Sequence, residues 1–351
     1  MKRLIREFEE QVRAELDADG NVLIGEVPMS PLDILQRDED AYNAEYQRWL
    51  SDWLTEREKL LQTTLGLVTD NRARYHKLVD ALRRQQVAAF VGAGMSIASG
   101  MLPWAAFLRK LREDSRCPAA DLEALLTGPA ANYEAAADLV YSHMSPRLFQ
   151  DRMQTRFRVP PAAIAGPVRL LPLLFQRWVF TTNYDQILEE VYAEEGLPFL
   201  FTLHGNQQLE NARKYYDDTK PALLKLHGDE RFPSQRVFRS SEYKRAYTAK
   251  SYLRLELSKA ASQRSMLFLG CSLWTDRTMQ VLRKAAQTDK GQPEHYAFLA
   301  LPVSADTLRE REDFLADHGI YPIWYDAPTK DDHDSAIEAL LVGLLREMKK
   351  L

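Results

Sequence analysis

The stretch VAAFVGAGMS, residues 87–96, decides the fold. Val87 to Val91 are apolar without polar alternation, the mark of a strand buried on both faces, and such strands belong to parallel sheets covered by helices. The run stops at Gly92-Ala93-Gly94, with Ser96 just beyond. Downstream the pattern repeats. WVFTT (178–182) predicts a strand and QILEEVYAEE (186–195) the helix after it; FLFTL (199–203) and ALLKLHG (222–228) are further strand candidates. A helix over 241–261 precedes the strand MLFLGCS (266–272). A helix at 274–286, a strand at 295–301, a helix at 304–316, the strand IYPIWY (320–325) and a C-terminal helix at 334–349 complete the series. Strands alternating with helices of ten or more residues imply parallel βαβ units, hence an α/β sheet with helices on both faces. Residues 104–175 read as a helical insertion after the first strand.

At 351 residues the chain is long enough to bury a sizeable core without staples. Its two cysteines, Cys117 and Cys271, exclude a disulfide framework and a four-cysteine zinc site. The net charge of −4 argues against holding nucleic acid by bulk electrostatics. No apolar run is long enough for a membrane span, and MKRLIREFEE lacks the apolar core of a signal peptide, so a cytoplasmic, membrane-free protein is expected. Residues 1–80 carry 11 basic and 17 acidic groups, a net of −6 that leaves +2 for the rest, and read as a separate helical extension preceding a catalytic domain at 81–351. Ser30, Pro31 and Asp33 form a helix start. Tyr46, Trp49, Trp53 and Leu60 follow as one helical stripe, for packing on the next domain or for contact with a subunit or partner.

Four strand ends carry chemistry. Gly92, Ala93, Gly94 and Ser96 form a turn where a backbone can approach a pyrophosphate, or simply a tight packing turn. Thr181-Thr182-Asn183-Tyr184-Asp185 places an amide and a carboxylate before a helix, where they either cap it or hold a sugar or an amide. Lys225-Leu226-His227-Gly228 adds an imidazole; His204-Gly205 is a competing pair. Gly270-Cys271-Ser272-Leu273 ends the fourth strand, with Cys271 read as a small core residue. Together they outline a nucleotide-sized crevice.

GAGMS, SGMLPW, TTNYD, KLHGD and FLGCSLWTD, in this order, resemble the sirtuin superfamily, and most of all the sirtuin-like NAD⁺ hydrolase domains of bacterial antiphage defence. The resemblance covers roughly residues 85–330 and implies a Rossmann-like sheet with NAD⁺ as substrate. Carried over by position, Gly92, Ala93, Gly94, Ser96 and Thr182 contact the cofactor, with the pyrophosphate at the glycine turn. Asn183 and Asp185 line the nicotinamide–ribose pocket, His227 is the catalytic base, and Gly270 and Ser272 hold the adenosine side. His204 matches no motif and is set aside as structural or as a support behind the site residues. Sirtuin deacylases have a zinc module with two cysteine pairs and a Phe-Arg pair after the glycine motif. This chain has two cysteines in all and Pro103-Trp104-Ala105-Ala106 instead, so no zinc is expected and deacylation is put in doubt.

What the resemblance implies is cleavage of the nicotinamide–ribose bond, depleting NAD⁺ in abortive antiphage defence. Such activity needs restraint, by assembly into a homo-oligomer or by a companion such as a HerA-type translocase ATPase or a short Argonaute. The alternatives are a zinc-free NAD⁺-dependent protein deacylase or ADP-ribosyltransferase, and a module that binds NAD⁺ or ADP-ribose without cleaving it.

Overall fold

The computed structural model describes residues 2–16, 20–127, 131–160, 163–205, 210, 220–274, 277–288 and 291–351. The chain opens with α1 (Lys2–Leu16), a small antiparallel hairpin of β1 (Val22–Ile24) and β2 (Val27–Met29), α2 (Pro31–Leu35), α3 (Glu39–Leu67) and α4 (Asn71–Arg83). Then comes β3 (Val87–Val91), followed by the helical insertion: α5 (Trp104–Glu113), α6 (Ala119–Leu126), α7 (Tyr133–Ser142), α8 (Pro146–Phe157) and α9 (Leu171–Leu174). The remainder alternates: β4 (Trp178–Thr181), α10 (Ile187–Glu194), β5 (Phe201–His204), β6 (Ala222–Lys225), α11 (Ser240–Ala246), α12 (Tyr252–Gln263), β7 (Ser265–Leu269), α13 (Arg277–Thr288), β8 (His295–Ala300), α14 (Ala305–Ala316), β9 (Ile320–Tyr325) and α15 (Lys330–Glu347).

The seven strands β3 to β9 form one parallel sheet in the order β5-β6-β4-β3-β7-β8-β9. Side chains alternate across a strand, so the apolar runs feed two cores. Ala89, Val91, Val179, Leu267, Phe298 and Ile323 face α3, α4, α10 and α15. Ala88, Phe90, Phe180, Leu224, Phe268 and Trp324 face α12 and α13. Both faces are therefore covered, and the α/β expectation holds. The insertion packs a third core, including Phe107, Leu111, Val140, Phe149 and Met153, which also takes Tyr184 and Phe238.

Some boundaries differ from the sequence reading. The helix expected over 241–261 breaks into α11 and α12, because Ser251 caps a fresh start by accepting from the Arg254 amide. The helix expected at 274–286 runs from Arg277 to Thr288, with 275–276 outside the described residues. Ser30 caps only the five-residue α2, accepting from the Asp33 amide at 3.1 Å. The aromatic stripe lies on α3, which has its own cap, Asp38.

Along that stripe the Phe8 ring of α1 meets Tyr42 and Tyr46 edge-on at 5.5 Å each, and Trp49 stacks on the buried Trp53 at 5.9 Å. Leu61 and Leu65 complete the burial of α3, whereas Leu60 is half-buried. A Cβ on Gly343 of α15 would lie 2.4 Å from the Tyr75 hydroxyl and 2.5 Å from Leu61 Cδ2, so α3, α4 and α15 meet at a bare backbone.

Asn71, wholly buried, ties this layer to the edge strand β9. Its Nδ2 donates to the carbonyls of Thr64 and Trp324, each at 2.8 Å, and its Oδ1 accepts from the Trp324 amide at 2.9 Å. Asn71→Ala orphans both backbone groups of Trp324. It is expected to lower stability by about 2–4 kcal/mol in urea denaturation, because each buried orphan costs about 1–3 kcal/mol.

Candidate active site

The sheet register builds the site. Val91 pairs with Thr181 on one side and with Leu269 on the other, and Thr181 pairs with Lys225. One residue past that row the chain places Gly92, Thr182, Leu226 and Gly270; two residues past it come Ala93, Asn183, His227 and Cys271. The sequence order also reverses here. From β3 the chain builds outward through β4, then returns to lay β7 on the other flank. A parallel sheet opens a ligand crevice at such a switch point, beyond the carboxyl ends of its strands.

The glycines are explained first by the chain itself. Gly92 N–H donates to the Leu269 carbonyl at 2.8 Å and Gly94 N–H to the Gly270 carbonyl at 2.9 Å. A Cβ on Gly92 would stand 2.5 Å from the Gly270 oxygen; one on Gly94, 2.8 Å from the Gly270 Cα. Gly270 has φ +63°, and a Cβ there would meet the Met95 amide nitrogen at 2.4 Å. Leu273, directly after the exposed Ser272, also has a left-handed φ of 51°. For a bulky side chain that conformation is strained, and strain of this kind concentrates at functional sites.

Asn183, Ser96 and Asp185 form one buried network. Asn183 Nδ2 donates to the Gly92 carbonyl and to Ser96 Oγ, both at 3.1 Å, and Ser96 Oγ donates to Asp185 Oδ2 at 3.0 Å. The Asn183 amide is anchored on Thr181 Oγ1, which itself donates to the Val91 carbonyl. Asn183 Oδ1 has no partner among the described residues and is the atom left for a ligand. Asp185 Oδ1 accepts from the Ile187 amide at the start of α10, so the carboxylate caps that helix while it holds Ser96. Burial pushes the Asp185 carboxyl up, opposed by the nearby Lys225. Between these two residues Tyr184 points the other way, into the insertion core, where its hydroxyl donates to the Val237 carbonyl at 2.6 Å.

His227 sits on β6's extension. Gly228 beside it has φ +74°, and a Cβ there would lie 2.7 Å from the Gln235 oxygen. Its Nε2 lies 2.7 Å from the Tyr247 hydroxyl, which is 3.1 Å from Thr278 Oγ1. Burial lowers the imidazole to about 3, so His227 is neutral at physiological pH. Phosphate anions bound nearby would raise it toward the useful range for a base.

His204 belongs to a different cluster. Its Nδ1 lies 3.1 Å from Asp229 Oδ2, and Lys225 and Arg231 approach the same carboxylate at 3.7 Å and 2.6 Å. Burial would raise Asp229, but the bonds from His204 and Arg231 hold it below the carboxylate range. Lys225, fully buried, also donates to the Asp185 carbonyl and pairs with Glu189 at 3.0 Å. The sequence reading placed Thr181 in the strand-end cluster without a role of its own, and missed Tyr247 and Thr278. Tyr243 and Tyr247, four apart and both against His227, were the available signal.

Among the described residues no group of three or more His, Cys, Asp or Glu is placed to hold a metal. A charged cleft of about 500 Å³, lined by Arg6, Glu9, Glu10, Arg13 and Glu194, lies at the far end of α10, and there Arg6 pairs with Glu10 and Glu194.

A glycine turn, an amide–carboxylate pair and an imidazole lie at the switch point of an open parallel sheet, the place where α/β folds hold their ligands. Residues 177–323 match the model of the SIR2-like domain. The match begins at β4; the Gly92–Ser96 turn stands on its geometry. Two relatives are each named NAD(+) hydrolase ThsA. The one from Cytobacillus dafuensis is 22% identical over 246 residues, 68% of this chain and 46% of that protein. The one from Acinetobacter baumannii (strain 532279) is 25% identical over 241 residues, 68% of this chain and 47% of that protein. The chain spans about half the length of these curated relatives.

Two predictions follow from the packing. Gly270→Ala should cost more than about 1–3 kcal/mol, through the left-handed φ and the backbone overlap, and is read from the urea midpoint. Burial also lowers His295, to about 4. Unfolded, both histidines titrate near ~6.5. Their contribution to stability is full above that pH and is lost as the pH falls toward 4 and then 3, by up to about 1.4 kcal/mol per unit for each. Urea midpoints should drop between pH 7.5 and pH 4.5, and His227→Gln and His295→Gln should each flatten the slope; an unchanged slope contradicts the burial argument.

Proposed function

We propose that this chain hydrolyses NAD⁺ at the nicotinamide–ribose bond. The carrying observation is the convergence at the switch point of the Gly92–Ser96 turn, the Asn183–Ser96–Asp185 network and His227. The names of the two relatives support the same chemistry. Nicotinamide leaves without a proton from the protein, because its ring is cationic before departure and neutral after it. The transition state at the ribose carbon is oxocarbenium-like. In this reading the pyrophosphate lies at Gly92, Ala93, Gly94 and Ser96, with Thr182 alongside, and the adenosine lies toward Gly270 and Ser272. Asn183 Oδ1 orients the carboxamide, ribose or attacking water. Asp185 supplies negative charge beneath the developing cation, and neutral His227 takes a proton from a ribose hydroxyl or the water.

The role we propose is NAD⁺ depletion in antiphage defence, in the cytoplasm, with activity restrained by homo-oligomeric assembly or by a companion such as a HerA-type ATPase or a short Argonaute. This rests on the sirtuin-like motifs and on the cost of an unrestrained NAD⁺ hydrolase to its own cell.

Purified protein, alone and with lysate from phage-infected cells, should release nicotinamide from NAD⁺ in a chromatographic assay. His227→Ala and Asn183→Ala should each lose at least about 100-fold, the lower end of general-base and positioning effects. His204→Ala should keep most of the activity. NAD⁺ intact under every condition contradicts the proposal, and an inactive His204→Ala beside an active His227→Ala reassigns the base.

A further inference from the structure

His227 contacts Tyr247, which contacts Thr278, and the proposed chemistry does not yet use these last two residues. We infer that Tyr247 and Thr278 are positioning residues that keep the imidazole proton of His227 on Nε2, so that Nδ1 offers its lone pair to the substrate. The inference rests on the reading of His227 as the base.

The three residues come from separate elements. His227 follows β6, Tyr247 ends α11, and Thr278 lies in the first turn of α13, just past the loop after β7. They are 9%, 8% and 7% exposed, so bulk water competes poorly for their polar atoms. The Nε2–Oη distance is 2.7 Å and the Oη–Oγ1 distance is 3.1 Å, both within hydrogen-bond range. Tyr243 meets the imidazole edge-on at 5.0 Å and Tyr247 at 5.9 Å, which holds the ring plane. Nδ1 has no hydrogen-bond partner among the described residues.

Proton counting allows two directions along this chain, and the need for a lone pair on Nδ1 selects one. A neutral imidazole has one N–H and a tyrosine one O–H. If Tyr247 donated to Nε2, the ring proton would sit on Nδ1 and block the free nitrogen. With Thr278 Oγ1 available as acceptor, the Tyr247 proton can turn to it, and the Tyr247 oxygen accepts from Nε2–H. Nδ1 is then the base. As the nicotinamide–ribose C–N bond breaks and its electron pair leaves with neutral nicotinamide, Nδ1 takes the proton of the attacking water or of a ribose hydroxyl; the C–O bond to water forms, and Nε2–H stays bonded to Tyr247 and steadies the imidazolium. The proton leaves to solvent once product departs. A third group orienting the base is the general logic of activated catalytic pairs.

The test uses full-length protein with ¹⁵N-labelled imidazoles, and long-range ¹H–¹⁵N spectra assigned by the loss of signal in His227→Ala. The expected result is the neutral tautomer with the proton on Nε2. Tyr247→Phe, which keeps the ring but removes the hydroxyl, should give mixed tautomers. It should lower kcat about fivefold to tenfold with KM for NAD⁺ unchanged, the scale of one net hydrogen bond. Thr278→Val should shift the tautomer the same way, and Thr278→Ser should restore the wild-type spectrum. A proton on Nδ1 in the wild type, or an unmoved tautomer and kcat in both Tyr247→Phe and Thr278→Val, overturns the relay. That failure beside an inactive His227→Ala leaves the base assignment standing; an active His227→Ala overturns both.

Discussion

The turn after β3 and the turn after β7 meet backbone to backbone. Gly92 and Gly94 lie so close to Gly270 that none of the three has room for a Cβ, and the Gly94–Gly270 hydrogen bond closes the contact. This approach fixes where β3 ends relative to β7, and with it the mouth of the crevice. It also brings Ser96 to the position where Asn183 and Asp185 can both reach its hydroxyl. The site follows from two strand ends forced together, rather than from a loop that happens to carry polar residues.

The insertion holds the other side. Tyr184 sits between Asn183 and Asp185 in sequence but sends its ring into the insertion core, beside Trp104 at 5.9 Å and Phe157 at 5.3 Å. Neighbouring residues in an extended segment point opposite ways, so anchoring Tyr184 outward aims its neighbours inward. The Arg277–Glu134 pair at 2.6 Å ties the start of α13 to α7. A helical insertion with its own core thus clamps the polar strand end.

Much of this was legible in the sequence, for reasons that can be located. The strands Val87–Val91, Trp178–Thr181 and Ile320–Tyr325 fall where unbroken apolar runs put them, because strands buried on both faces need such runs. The glycine turn, TTNYD, KLHGD and FLGCS lie at strand ends, where a parallel sheet gathers them. What was not legible depends on tertiary distance. Nothing local says that Asn71 will bind the backbone of Trp324, 253 residues away, or that Thr278 will meet Tyr247. The break between α11 and α12 turns on one capping serine inside a helical pattern. The hairpin Val22–Met29 is three residues per strand, too short for periodicity to declare it.

The central claim is that the substrate lies across the switch point, held by the β3 and β4 ends. A crystal structure of the His227→Ala protein soaked with NAD⁺ tests this most directly, since the variant should bind without turning over. The account predicts the pyrophosphate over the Gly92–Ser96 turn and the nicotinamide ribose within hydrogen-bond reach of Asn183 Oδ1. NAD⁺ bound elsewhere on the chain, or a crevice that stays empty at saturating NAD⁺, would contradict it.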